Sequence, residues 1–190
     1  MTTSNERIAS TGKTVFASSF AMFAAGRAFE QIRNSIGYTN LNVKIGATHA
    51  GISVGEDGGS HQCLEDIALM RSIPNMVVIS PADDIEAQMA VKAAIEHNGP
   101  VYLRFGRLAA EDVNREDYKF ELGKGVELRG GNDATIVATG LTVGMALEAH
   151  ELLAKEGISA RVINIHTIKP LDEDIITKAA KETGAIVTAE

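Results

Sequence analysis

Two α/β domains with mainly parallel sheets are predicted by three features of the 190-residue chain. Short apolar runs alternate with helical stretches along most of the sequence, the pattern of βαβ units. An aperiodic, charged and glycine-rich segment interrupts that alternation once, between about Leu108 and Asp133. Hydrophobic residues make up 45% and charged residues 23%, the mixture of a chain that folds around a core.

The elements follow in order. Thr14-Val15-Phe16-Ala17 reads as a short buried strand after a polar start, and Phe20, Phe23, Phe29, Ile32 and Arg33 then recur at helical spacing. Asn42 to Ala47 is the next strand, followed by a glycine-rich loop from Thr48 to Gln62. A helix from about Leu64 to Ser72, the strand Met76 to Ile79, a helix from about Asp83 to His97 and the strand Val101 to Leu103 complete the first half. Pro81 and Asp83-Asp84 mark the start of that second helix, since aspartate there accepts orphan N–H bonds and suits the positive end of the dipole. Gly99-Pro100 ends it. The segment 108–133 is expected to be a linker holding one or two short strands around Val126-Glu127-Leu128. Beyond it, Ala134 to Gly140 is a strand, Val143 to Lys155 a helix and Ala160 to Ile165 a strand. Asp172 caps a helix through about Glu182, and Ala185 to Thr188 is the last strand. A parallel strand usually runs on into a covering helix, so the second half is expected to be cut short.

Charge and cysteine usage narrow the function classes. With 18 basic and 25 acidic residues the net charge is −7, which repels a polyanionic backbone and argues against nucleic acid. The one cysteine, Cys63, allows neither an intrachain disulfide nor a cysteine zinc site. No run approaches the roughly 20 apolar residues of a membrane span. A cytoplasmic, membrane-free protein is expected.

The loop from Thr48 to Gln62 carries the chemistry most open to a site, because ligands of open parallel sheets lie beyond the carboxyl ends of strands. It holds His49, His61, Glu56 and Asp57 among Gly51, Gly55, Gly58 and Gly59. Imidazoles beside carboxylates can move protons or bind hydroxyls, and glycines let backbone approach a ligand. A solvated surface loop is the alternative. His49 and His61 lack the i, i+4 spacing of a helix-borne metal pair, and no metal site is expected. Phe20 and Phe23 share one face and either fill the core or present a wall to a flat ring. Arg104 and Arg107 close the Val101 strand, where guanidinium can bind phosphate or take part in an ion pair. Cys63 is expected to be a packing residue.

Several of these runs carry a family likeness. Gly12-Lys13-Thr14-Val15-Phe16-Ala17-Ser18-Ser19-Phe20-Ala21-Met22-Phe23, the whole loop Thr48 to Gln62, Ser72-Ile73-Pro74-Asn75-Met76 and Pro81-Ala82-Asp83 resemble the pyrimidine-binding domain of transketolases. Asp133 to Gly140 with Thr167-Ile168-Lys169-Pro170-Leu171-Asp172 resembles the start of the transketolase C-terminal domain. The likeness divides the chain into a pyrimidine-binding domain at 1–107, lacking its N-terminal part, a linker at 108–133 and the start of a C-terminal domain at 134–190. It is closest to the separate C-terminal subunit of split transketolases, whose partner chain carries the diphosphate-binding domain.

The resemblance implies thiamine diphosphate as cofactor, with Phe20 and Phe23 packed around its aminopyrimidine. It implies that His49, His61 and Asp57 face a sugar, the two histidines assisting proton transfer, and that Arg107 holds the sugar phosphate. The reaction implied is transfer of a two-carbon ketol unit between sugar phosphates, with the cofactor as electron sink. Mg²⁺ and the cofactor diphosphate are expected on the partner, because the sequence has no Gly-Asp-Gly motif. It also lacks the Gly-Ile-Ala-Glu motif that activates the aminopyrimidine, so the chain is expected to be incomplete and inactive alone, and to assemble as a homo- or hetero-oligomer. A deoxyxylulose phosphate synthase-like fragment and a non-catalytic assembly module are the alternative readings.

Overall fold

The computed structural model describes residues 2–115 and 117–190 and divides the chain into two compact units. One comprises Met1–Ile79 with Gln88–Ala109, the other Ser80–Ala87 with Ala110–Glu190. Each is α/β with a mainly parallel sheet.

The first unit opens with α1 (Thr2–Ala9) and then β1 (Val15–Phe20). Its sheet places β1 beside β2 (Val43–Thr48), then β4 (Val101–Arg104), then β3 (Val77–Ile79), all parallel. Burial follows strand position. On the edge strand β1, Val15 and Ala17 are buried while Phe16 and Ser18 are exposed, whereas β2 is buried from Val43 through Ala47. A strand covered on both faces has no polar side to alternate with. Even Lys44 is enclosed there, its Nζ donating to the carbonyls of His97 at 2.7 Å and Gly99 at 2.6 Å. Burial lowers its ammonium pKa to about 8.

Phe20 is the last residue of β1 rather than the first of a helix, because its backbone still pairs in register with Thr48. The helical run begins at Met22 and is π-helical over Met22–Arg27 and Ile32–Gly37, with a short α-helix, α2 (Phe29–Gln31), between them. The helix expected from about Leu64 is α3 (Asp66–Ser72).

In the second unit, β5 (Val126–Arg129), β6 (Ala134–Ala138), β7 (Ala160–Asn164) and β9 (Ile186–Ala189) form a sheet in the order β5-β7-β6-β9. The pair β5 and β7 is antiparallel and the other two pairs are parallel. The short β8 (Thr167–Lys169) follows β7 and was not marked by the apolar pattern. Helices α5 (Thr142–Lys155) and α6 (Glu173–Glu182) accompany the sheet, and Val143 and Ala146 of α5 pack with Ala82, Ala138 and Val162. Asp172 caps α6 by accepting from the Ile175 amide at 3.3 Å.

The start of α4 (Asp84–Glu96) is held by a buried polar network. Asp83 Oδ1 accepts from the Glu86 amide at 2.8 Å, and Asp83 Oδ2 accepts from the Val113 and Asn114 amides and the Asn114 side chain. Glu86 reaches back to the Ala82 amide at 2.7 Å, a variant of the capping box. Its other oxygen accepts from Tyr118 Oη at 2.6 Å and Asn164 Nδ2 at 2.9 Å. Burial pushes the Glu86 carboxyl above its usual range despite these bonds.

His166 is fully buried, with its ring centroid 4.2 Å from that of Phe120. Burial holds its pKa down at about 4. As pH falls below about 6.5 the unfolded chain protonates this imidazole while the folded chain resists until about 4, so stability is lost across that window. The shift corresponds to about 3 kcal/mol at its lower end. Urea unfolding at pH 7 and pH 4 is expected to show His166→Gln losing less stability than the parent by about that amount. Equal losses in the two proteins would contradict the assignment.

Candidate functional site

Three strand ends of the first unit bring the candidate residues together. Phe20 closes β1, Thr48 closes β2 just before His49, and Arg104 closes β4 three residues before Arg107. His49 takes a left-handed backbone, φ 59°, which turns the chain sharply at the strand end. Phe105 fixes the turn from both sides: its amide donates to the Ala47 carbonyl at 2.8 Å, and its carbonyl accepts from the Ala50 amide at 3.1 Å.

The loop after His49 closes on itself. Gly51, at φ +79°, donates its amide to the Cys63 carbonyl at 2.9 Å, and the bridge between these residues forms the loop's base. Within it Gly55–Asp57 forms a 3₁₀ turn, after which the His61 amide donates to the Gly58 carbonyl at 3.0 Å. Gln62 Nε2 donates to the Ile52 carbonyl at 3.2 Å. These bonds return His61 to the strand ends from which the loop departed.

The result is an aromatic and imidazole cluster. The rings of Phe20 and His49 stack with centroids 3.8 Å apart and planes 13° from parallel. Phe23 lies nearly parallel to Phe20 at 6.0 Å. His61 meets both edge-on, at 6.0 Å from Phe20 and 5.2 Å from Phe23. All four side chains are half-buried, so the cluster is a wall with an open side rather than closed core. Each histidine has Nδ1 near a neighbouring hydroxyl, His49 with Thr48 at 3.0 Å and His61 with Ser60 at 2.9 Å. Among the described residues Nε2 of neither ring is engaged, which leaves it available to exchange a proton with a ligand hydroxyl.

Arg107 is exposed and borders the 3₁₀ turn, since a Cβ added at Gly55 would stand 3.5 Å from its Nη1. Asp57 ends that turn and is exposed. Arg104, by contrast, is not a free guanidinium: its Nε donates to Asp66 Oδ2 at 2.8 Å. Asp66 is fully buried and also accepts from Tyr102 Oη at 3.0 Å. Burial beside this carboxylate drives the Tyr102 hydroxyl far above its usual range. Cys63 is buried, and its thiol is pushed up to about 11, so it offers no nucleophile at neutral pH.

Two neighbours of the cluster are not marked by any sequence motif. Arg27 places its guanidinium 5.0 Å from the Phe23 ring centroid, a contact that four-residue spacing on a helical run could have suggested. The pairing of Asp66 with Tyr102 and Arg104 joins distant segments and left no local signal. Among the described residues no three His, Cys, Asp or Glu side chains form a group able to hold a metal ion. No helix among them is long and apolar enough to cross a membrane.

Fold and site together define a two-unit α/β chain with an aromatic and imidazole surface at the carboxyl ends of a parallel sheet. The sequence profile of the transketolase pyrimidine binding domain matches residues 1–112, and that of the transketolase C-terminal domain matches residues 123–190. A Methanocaldococcus jannaschii protein named as a transketolase C-terminal section is 56% identical over 174 residues, covering 90% of this chain and 55% of its own length. The 6-deoxy-6-sulfo-D-fructose transketolase subunit SqwH of a Clostridium species is 44% identical over 183 residues, covering 96% of this chain and 57% of its own. A solved structure described as a split gene transketolase, inactive beta4 tetramer, superposes with a TM-score of 0.91 at 50% identity, covering 98% of this chain and 61% of that one. The chain belongs to the transketolase family. It spans a little over half the length of these curated relatives.

Proposed function

We propose that this chain is the pyrimidine-side component of a thiamine-diphosphate-dependent transketolase, transferring a two-carbon ketol unit between sugar phosphates together with a diphosphate-binding partner chain. The observation that carries this reading is the cluster of Phe20, Phe23, His49 and His61 at the strand ends of a transketolase pyrimidine-binding domain. In this reading 1–107 is the pyrimidine-binding domain, 108–133 a linker and 134–190 the start of the C-terminal domain.

The residues present fit one half of the cofactor. Half-buried, nearly parallel phenylalanines suit the flat, weakly polar face of an aminopyrimidine. The given sequence carries no Gly-Asp-Gly motif for the other half. Mg²⁺ and the diphosphate are therefore assigned to the partner. When bound, thiamine diphosphate supplies the carbon nucleophile and electron sink for breaking a carbon–carbon bond.

This chain contributes binding and proton traffic. Phe20 and Phe23 hold the aminopyrimidine. His49 and His61 accept and return protons at the substrate hydroxyls, and Asp57 accepts hydrogen bonds from them. Arg107 holds the sugar phosphate through its planar guanidinium. Ile52, Leu64 and Leu108, all within this unit, are large apolar side chains 71%, 59% and 55% exposed, suited to cover by another chain. The related split transketolase described as an inactive beta4 tetramer supports the reading that copies of such a chain associate without completing a site. The net charge of −7 and the single buried cysteine suit a cytoplasmic enzyme acting away from nucleic acid and membranes.

The test is a product assay on the chain assembled with a diphosphate-binding subunit, thiamine diphosphate and Mg²⁺. A ketose phosphate donor with an aldose phosphate acceptor is expected to turn over. Turnover with pyruvate and a triose phosphate, and none with the ketose, would overturn the ketol-transfer reading in favour of a deoxyxylulose phosphate synthase type of reaction.

A further inference from the structure

Asp66 and Arg104 stand apart from the residues assigned above, yet they adjoin the backbone that carries them. Asp66 begins α3 and is 0% exposed, so it cannot touch a substrate. Its Oδ2 accepts from Arg104 Nε at 2.8 Å and Tyr102 Oη at 3.0 Å. The Arg104 side chain is 15% exposed. A Cβ added at Gly51 would meet Arg104 Nη2 at 3.4 Å, so the guanidinium is packed against the base of the loop. The next residue, Phe105, makes the two backbone hydrogen bonds that bracket His49.

At His49 the backbone held in this way is sparsely populated by a residue with a side chain. His49 at φ 59° and Gly51 at φ +79° are both left-handed, and a non-glycine residue keeps that conformation only where its surroundings impose it. Arginine is a long side chain with much rotamer freedom to lose. One buried carboxylate at Nε removes that freedom through a charge-assisted bond and leaves the far end of the guanidinium against Gly51.

We propose that Asp66 and Arg104 form a positioning pair: the buried carboxylate fixes the guanidinium, and the fixed guanidinium sets the turn at His49 and the loop base at Gly51, hence the placement of both histidines. The consequence for rate rests on the function proposed above, whereas the placement itself does not.

The experiment reads the histidines directly in the full 190-residue chain labelled at histidine. The 3.8 Å stack on Phe20 shifts the His49 ring protons upfield, which makes their NMR signals a gauge of the turn. Asp66→Asn and Arg104→Met are each expected to move the His49 and His61 signals toward those of free imidazole, leaving His97 and His150 unmoved. Arg104→Lys keeps the charge but lacks Nε, so it is expected to do the same, and it serves if Asp66→Asn fails to fold. In the assembled enzyme the same variants are expected to lose about 10²-fold in kcat with KM little changed, the penalty of a small misplacement near the chemistry. Unmoved His49 and His61 signals in folded variants would overturn the proposal. Displaced signals in a protein whose parent shows no ketol transfer would sustain the positioning pair and refute the proposed function.

Discussion

Replacing His49 by asparagine is expected to lower kcat for ketol transfer by about 10²–10⁴-fold, the usual worth of a general acid or base. Asparagine is the right probe because it tolerates the left-handed backbone that His49 adopts at φ 59°. The turn can therefore persist while the imidazole, stacked 3.8 Å from Phe20, is removed. An alanine there would combine lost chemistry with backbone strain. Steady-state kinetics of the assembled enzyme and an unfolding curve of the chain separate the two effects. A variant within about tenfold of the parent rate would show that His49 is outside the proton path.

Asp83→Ala is expected to give the largest loss of stability, about 3–5 kcal/mol, since several buried donors lose their acceptor at about 1–3 kcal/mol each. The side chain is only 4% exposed and serves four donors: the amides of Glu86, Val113 and Asn114, and the Asn114 side chain. Alanine leaves those donors unsatisfied inside the second unit and frees the first turn of α4, whereas water cannot readily enter to replace the carboxylate. Denaturant unfolding measures the difference. A loss under about 1 kcal/mol would mean that the 113–114 segment finds other acceptors.

What the sequence reveals is decided by how locally each feature is determined. The strands β2, β4, β6 and β7 are mainly apolar runs, interrupted by Lys44 in β2 and Arg161 in β7, and such runs are visible in any window of the sequence. The start of α4 is legible for the same reason, since Pro81 and Asp83 act on residues next to them. By contrast α1 hides in a polar segment, and β8 is three residues long immediately after β7, too short for a periodic signal. Phe20 illustrates a boundary that local spacing misplaces: it reads as helical from its distance to Phe23, but pairing with Thr48 keeps it in β1.

The site divides along the same line. Phe20, Phe23, His49, Asp57, His61 and Arg107 are named by runs of sequence around them, and a glycine-rich loop after a strand suggests where they lie. The stack of His49 on Phe20 depends on the pairing of β1 with β2, which no local pattern states. The Asp66 carboxylate reads from sequence as one more helical acid, and only the juxtaposition of α3 with β4 gives it Tyr102 and Arg104 as partners.

We propose that this chain supplies the aromatic and imidazole half of a shared site while another chain supplies the diphosphate half. Titrating the purified chain with a diphosphate-binding transketolase subunit, in thiamine diphosphate and Mg²⁺, measures it most directly through the rate of ketol transfer from a ketose phosphate to an aldose phosphate. Neither chain alone is expected to turn over, and the rate is expected to rise on mixing and to saturate at equal amounts of the two. Turnover by this chain alone at ordinary enzyme rates, roughly 1–10³ per second, would contradict it.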